Sequence, residues 1–74
     1  SLLTRSSDSW ITGKVKTNLL TTDIQEATQI KVVTENGSVY LMGLVTQAEA
    51  SRATDVARAV GGVQRVVKVF EYLD

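Results

Sequence analysis

The sequence predicts an α+β fold: an α-β-β-α-β sandwich in which a three-stranded sheet carries two helices packed on one face. Three features predict it. An apolar stripe at helical spacing runs through Ile11, Val15 and Leu19. Asn36-Gly37 separates a run rich in β-branched residues from a second, largely apolar run, a strong hairpin signal. Thr46-Gln-Ala-Glu49 opens an alanine-rich helical stretch that ends at a glycine pair, and an apolar run over 63–73 follows.

The first element is a helix. Residues 1–7, SLLTRSS, read as a linker or trimmed edge, and the domain proper as 8–74. Leu2 and Leu3 are out of place in a solvated tail and suit the packing of something upstream. Asp8 is placed as the N-cap, with helix from about Ser9 to Leu20. At about 100° per residue, Ile11, Val15 and Leu19 share one narrow arc, which marks the core side. Thr21, Thr22 and Asp23 end the helix, and residues 24–28, IQEAT, form a connection.

Two strands follow. In QIKVVTE, 29–35, Ile30 and Val32 share one face and Lys31 and Glu35 the other. A type I′ turn at Asn36-Gly37 needs φ > 0 at both positions, which Asn and Gly tolerate. The second strand is SVYLMGLV, 38–45, with Val39, Leu41, Gly43 and Val45 on one face and Tyr40, Met42 and Leu44 on the other. Both faces are apolar, which is unusual for a sheet with one side in water.

The second helix begins at the capping box Thr46–Glu49. Ala50, Ala53, Ala57 and Val60 line one stripe, small enough to let the helix approach a sheet closely; Arg52, Asp55 and Arg58 line the other. Gly61 is expected as the residue that ends the helix, with Gly62 behind it. Residues 63–73 form the third strand, with faces Val66/Phe70/Tyr72 and Val67/Val69/Leu73; the pattern leaves the inward one open. The strand–helix–strand unit demands a right-handed crossover. Strand order in the sheet is left open.

Composition bounds the chemistry. The chain has 74 residues, one domain's worth. It contains no cysteine and no histidine, so it has no disulfide framework, no thiolate, and none of the usual zinc ligands or general bases. No cofactor, metal site or enzymatic activity is expected, because no two acidic residues stand at catalytic spacing. Asp23 and Glu26 in the connection are a weak calcium candidate. Eight basic residues balance eight acidic ones, so no net field draws in a nucleic acid. No apolar run reaches the ~20 residues needed to cross a bilayer. The chain opens on Ser1 rather than methionine and is read as a piece of a longer protein.

Trp10 is the residue that asks for a function. On a helix it lies about 140° from the centre of the core stripe, beside Gly13, Lys14 and Thr17. An indole next to lysine near a helix N-terminus suits a phospholipid head group. The ring prefers the membrane–water boundary, free N–H groups favour phosphate, and Lys14 and Lys16 each add about 1 kcal/mol near an anionic surface. Gly13 leaves bare backbone as a floor, at a cost of about 1 kcal/mol in helix propensity, and Thr17 offers a hydroxyl donor. Two other readings stand beside this one. The indole folds back over Leu2 and Leu3, or it packs on a neighbouring domain. A second candidate surface is the outer sheet face, Tyr40, Met42 and Leu44, which either docks a partner or is completed by Phe70 or Tyr72. Glu49, Arg52, Asp55 and Arg58 read as a solvated, salt-bridged face, and the glycines at 61–62 do not cradle phosphate.

In order along the chain, Asn36-Gly37, Leu41-Met-Gly43-Leu-Val45, the Ala50–Val60 helix and Gly62-Val63 resemble the pattern of the BON domain family. The likeness covers roughly residues 9–73. Within the family, DSWITGKVKTNLLTTD and the run from Glu35 to Thr46 are most similar to the second domain of dual-BON, haemolysin-like outer-membrane lipoproteins of Gram-negative bacteria. The resemblance implies the same α-β-β-α-β sandwich, no enzymatic activity and a periplasmic, outer-membrane-associated address, with a lipid-anchored parent that supports envelope integrity. It also implies binding of anionic phospholipid through the first helix, which assigns Trp10, Gly13, Lys14, Lys16 and Thr17 to the lipid site. The partners it implies are an anionic membrane surface and a sister BON domain in the parent chain; the alternative, read from the outer sheet face, is a protein-interaction or structural module of the periplasm that docks envelope proteins through Tyr40, Met42 and Leu44.

Overall fold

The computed structural model describes residues 2–22, 24 and 29–74, with side chains from residue 7 onward. The elements are α1 (Leu2–Thr21), β1 (Lys31–Glu35), β2 (Ser38–Val45), α2 (Gln47–Arg58) and β3 (Arg65–Tyr72), the expected α-β-β-α-β order.

The start of α1 differs from the sequence expectation. Helical backbone begins at Leu2 and runs through residues assigned above to a linker, so Asp8 is not an N-cap. Its carboxylate is used elsewhere. Oδ2 accepts the backbone N–H of Asn36 at 2.8 Å and Oδ1 that of Gly37 at 3.0 Å. Both turn residues have positive φ, 51° and 81°, as a type I′ hairpin requires. Asp8 therefore caps the β1–β2 turn from the side of a helix.

The sheet order is β1-β2-β3. β1 pairs antiparallel with β2, from Glu35↔Ser38 beside the turn to Lys31↔Met42. β3 pairs parallel with β2, from Ser38↔Arg65 to Val45↔Tyr72, with α2 as the crossover. Side chains of paired residues share a face. The inner face carries Val32, Val39, Leu41 and Val45, which form one buried cluster with Ile11, Val15 and Leu19 of α1 and Ala50, Ala53, Ala57 and Val60 around α2. Val66 and Phe70 pack against that cluster, which settles the inward face of β3. Gly43 belongs to the inner surface for a backbone reason. Its φ is 147°, and a Cβ there would lie 3.2 Å from the Gln29 carbonyl oxygen.

The capping box forms as its sequence pattern predicts. Thr46 Oγ1 accepts the Glu49 N–H at 3.1 Å, and Glu49 Oε1 accepts the Thr46 N–H at 2.9 Å. Thr54, absent from the expected stripe, is also buried; its hydroxyl donates to the Ala50 carbonyl at 2.7 Å, so no polar group is stranded. At the other end of α2 the left-handed residue is Gly62, with φ 95°, rather than Gly61. The turn after it is tied to the hairpin, because the Gln64 N–H donates to the Gly37 carbonyl at 2.8 Å.

Candidate membrane-binding site

α1 presents two opposite faces. The inward face is Ile11, Val15 and Leu19, at most 2% exposed. Trp10, on the other side, is 57% exposed. The indole faces out of the domain, as its wheel position predicts. Gly13, Lys14, Lys16 and Thr17 are exposed too, so all five sequence-assigned residues lie on the outer surface of one helix.

One member was missing from that set. Leu20 is 59% exposed, more than any other residue of α1 identified as a large exposed hydrophobic. On the helical wheel it lies about 20° from Gly13 and half a turn from Ile11. Carrying the wheel past Thr17 would have found it. Trp10, Gly13, Thr17 and Leu20 together form an outward stripe over three turns with no charge in it. Lys14 flanks the stripe beside Trp10, and Lys16 flanks it beside Leu20.

The local chemistry departs from expectation in two respects. Trp10 and Lys14 lie in the interior of α1, not in its first turn. Their backbone N–H groups point into the helix ladder, so no helix terminus supplies phosphate donors beside the indole. Attraction for an anion falls to the two lysines. The Thr17 hydroxyl donates to the Gly13 carbonyl at 2.9 Å, so its proton is committed within the helix and its lone pairs face solvent. Over Gly13 the surface is open, because a Cβ there would meet nothing within 4 Å.

Beside the indole, Ser7, Trp10, Ile11, Gly61 and Gly62 line a cleft of about 370 Å³ between α1 and the turn after α2. A neighbouring cavity of about 400 Å³ is walled by Asp8, Asn36, Gly37 and Gln64. The Leu2 and Leu3 side chains, against which the alternative reading placed the indole, lie outside the described residues, as do Asp23 and Glu26 of the calcium candidate. Among the described residues, no group of three metal-capable side chains comes together. No described helix is long and apolar enough to cross a membrane.

The outer sheet face is wider than Tyr40, Met42 and Leu44. The register adds Val33 of β1 and Val67 and Val69 of β3 to it. Leu44 and Val69 are more than half exposed, while Tyr40 and Met42 are half-buried. Phe70 and Tyr72, expected as possible completions of this face, project from the other side of β3, where their rings meet at 6.5 Å. Asp55 and Arg58 are solvated, and Glu49 is held in the capping box.

Comparison with known proteins gives a consistent family. The BON domain profile matches residues 7–74. The chain is 48% identical over 69 residues to a protein of Haemophilus influenzae named outer membrane lipoprotein DolP, covering 93% of this chain and 36% of that protein. It is 48% identical over 68 residues to a 21 kDa hemolysin of Actinobacillus pleuropneumoniae, covering 92% and 35%. It is 40% identical over 62 residues to osmotically-inducible protein Y of Escherichia coli, covering 82% and 31%. The chain thus spans about a third of the length of these relatives. By profile, by identity and by its α-β-β-α-β architecture, the chain belongs to the BON domain family.

Proposed function

We propose that this domain is a non-catalytic module that lies on anionic phospholipid at the bacterial outer membrane, facing the periplasm, with the outer surface of α1 as its contact. The observation that carries the reading is the uncharged Trp10–Gly13–Thr17–Leu20 stripe, exposed on the back of a helix whose other face is core, with a lysine on each side. A helix lying in an interface needs this cross-section: an apolar strip that enters the head-group layer and basic side chains whose stems reach back to phosphate. Zero net charge is no obstacle, because attraction to an anionic surface acts within a Debye length and is set by the local lysines. Gly13 adds support. It is neither crowded nor at positive φ, so the fold gives no reason to accept its helix penalty of about 1 kcal/mol. The name of the H. influenzae relative, an outer membrane lipoprotein, supports the address.

An amide-shift titration with phosphatidylglycerol micelles tests this reading. Shifts centred on residues 10–20, lost in Trp10→Ala while the remaining spectrum stays folded, are the expected result. Unchanged α1 amides at saturating lipid would overturn it.

A second reading has its own observation. The open sheet face, with Val33, Leu44 and Val69 exposed around Tyr40 and Met42, is an apolar patch on the side opposite the helices, bordered by Lys31, Glu35, Arg65 and Glu71. The relatives are about three times this length, and in a protein of that size the face suits a sister BON domain or another envelope protein. Leu44→Lys would disrupt that docking and leave micelle binding through α1 unchanged.

A further inference from the structure

The glycines of this chain divide into two groups. Gly37, Gly43 and Gly62 sit at positive φ with other atoms within 3.0–3.2 Å of where a Cβ would be, so backbone and packing demand them. Gly13 and Gly61 have neither constraint, and a Cβ on either would meet nothing within 4 Å. These two unconstrained glycines lie on either side of Trp10. Gly13 follows it by one helical turn, and Gly61 faces it across the cleft that Ser7, Ile11 and Gly62 complete.

We infer that Gly61, in the turn between α2 and β3, belongs to the lipid site, and that the cleft between it and Trp10 receives one acyl chain of a phospholipid whose phosphate rests at Lys14. This rests on the lipid reading above. The lining selects the occupant. It has an indole, an isoleucine, two glycines and a single hydroxyl, and no charged side chain. An anionic head group finds no counter-charge there, and the carbonyl end of α2 repels it. A hydrocarbon chain meets no unpaired charge there, and by covering the exposed indole and the glycine backbone it removes the protein's own apolar surface from water. Lys14 is exposed one turn beyond Trp10 and about 40° from it on the helix, so its long side chain is the cation nearest the indole along α1, and the phosphate of such a lipid would pair with it. Gly61 lines this cleft and a Cβ added there meets nothing within 4 Å, so bare backbone leaves the edge of the cleft open.

Trp10 is the only tryptophan, so its fluorescence reports the outer surface of α1 and the cleft beside it, and the Gly61 variants separate the two. The test uses phosphatidylglycerol vesicles whose acyl chains are brominated near the ester, with wild type, Gly61→Val, Gly61→Ala and Ser51→Val as an exposed α2 control. Expected for wild type and the control are binding and strong quenching. Gly61→Val should keep its circular dichroism and lose most of the quenching, with weaker vesicle binding than wild type; Gly61→Ala should fall between. Equal binding and quenching in wild type and both Gly61 variants overturns the inference and leaves the α1 reading standing. Absence of any wild-type binding overturns both. Should Gly61→Val fail to fold, cross-relaxation between lipid chain protons and the Gly61 Hα in wild-type micelle samples decides: its presence supports the cleft, and its absence with bound lipid overturns it.

Discussion

The backbone N–H of Asn36 donates to the carboxylate of Asp8 at 2.8 Å across 28 residues, and the neighbouring Gly37 N–H donates to the other oxygen of the same group. This contact joins the middle of α1 to the tip of the hairpin. The Thr12 hydroxyl reinforces the junction one turn later by donating to Thr34 Oγ1 at 2.7 Å. The hairpin in turn accepts Gln64 of the third strand's approach. Three segments distant in sequence therefore meet at one end of the domain, and the cleft beside Trp10 is built on that end.

Asp8→Ala removes the acceptor for both turn N–H groups. Hydrogen bonds to a charged group contribute about 1.5–3 kcal/mol when buried, but these are partly solvated, so the expected loss is about 1–2 kcal/mol. For a domain of this size each kcal/mol corresponds to about 4–8 °C in Tm. Asp8→Asn keeps one acceptor oxygen but turns an amide NH2 toward the other N–H and removes the charge, so it should lose about as much. A thermal melt checks both; an unchanged Tm for Asp8→Ala would mean the contact does not hold the turn.

Thr46→Ala breaks one half of the capping box and strands the Glu49 N–H. The expected cost is about 1 kcal/mol. The damage should be local, so hydrogen exchange should accelerate first in the opening turn of α2 while the β1–β2 amides stay protected. Uniform acceleration across the domain would argue against a local cap.

The elements whose signals are short-range were legible in the sequence. Asn36-Gly37 fixes its own turn through two φ angles, and Thr46–Glu49 fixes a helix start through two hydrogen bonds three residues apart. Alternation along 38–45 placed Val39, Leu41 and Val45 inside. Asp8 was misread because a helix N-cap and a carboxylate that caps a distant turn look alike in one dimension; only the partner, 28 residues away, tells them apart. Gly61 and Gly62 were exchanged for a similar reason, since either can end a helix and the choice depends on where Ile11 and the hairpin lie. Strand order followed from non-local pairing that no local pattern encodes. In the site, Trp10 stood out because it is unique, whereas Leu20 was hidden as one more leucine beside the core residue Leu19.

Lys14→Gln and Lys16→Gln should each weaken binding to phosphatidylglycerol vesicles by about 1 kcal/mol, roughly fivefold, with no change in Tm because both side chains are solvated. Raising ionic strength should shrink the difference from wild type, since exposed charges are screened over about 8–10 Å near physiological salt. Trp10→Ala and Leu20→Ala should weaken binding in a way that salt does not erase. Vesicle sedimentation at two salt concentrations separates the two classes; a salt-independent loss in the lysine variants would exclude them as head-group contacts.

Gly13 and Gly43 should respond in opposite directions to the same substitution. At Gly43 alanine meets φ 147° and the Gln29 carbonyl, so Gly43→Ala should cost about 1–3 kcal/mol. At Gly13 alanine meets open space inside a helix, so Gly13→Ala should stabilise by about 1 kcal/mol and raise Tm by about 4–8 °C. The added methyl also stands on the floor beside the indole. If that floor lies against lipid, the more stable variant is the weaker binder: Tm rises while affinity for anionic vesicles falls. Stability and binding measured on the same samples give the decisive comparison, because a mutation that only damaged the fold would lower both. A rise in Tm with unaltered affinity would remove Gly13 from the contact surface and leave Trp10, Leu20 and the two lysines to carry it.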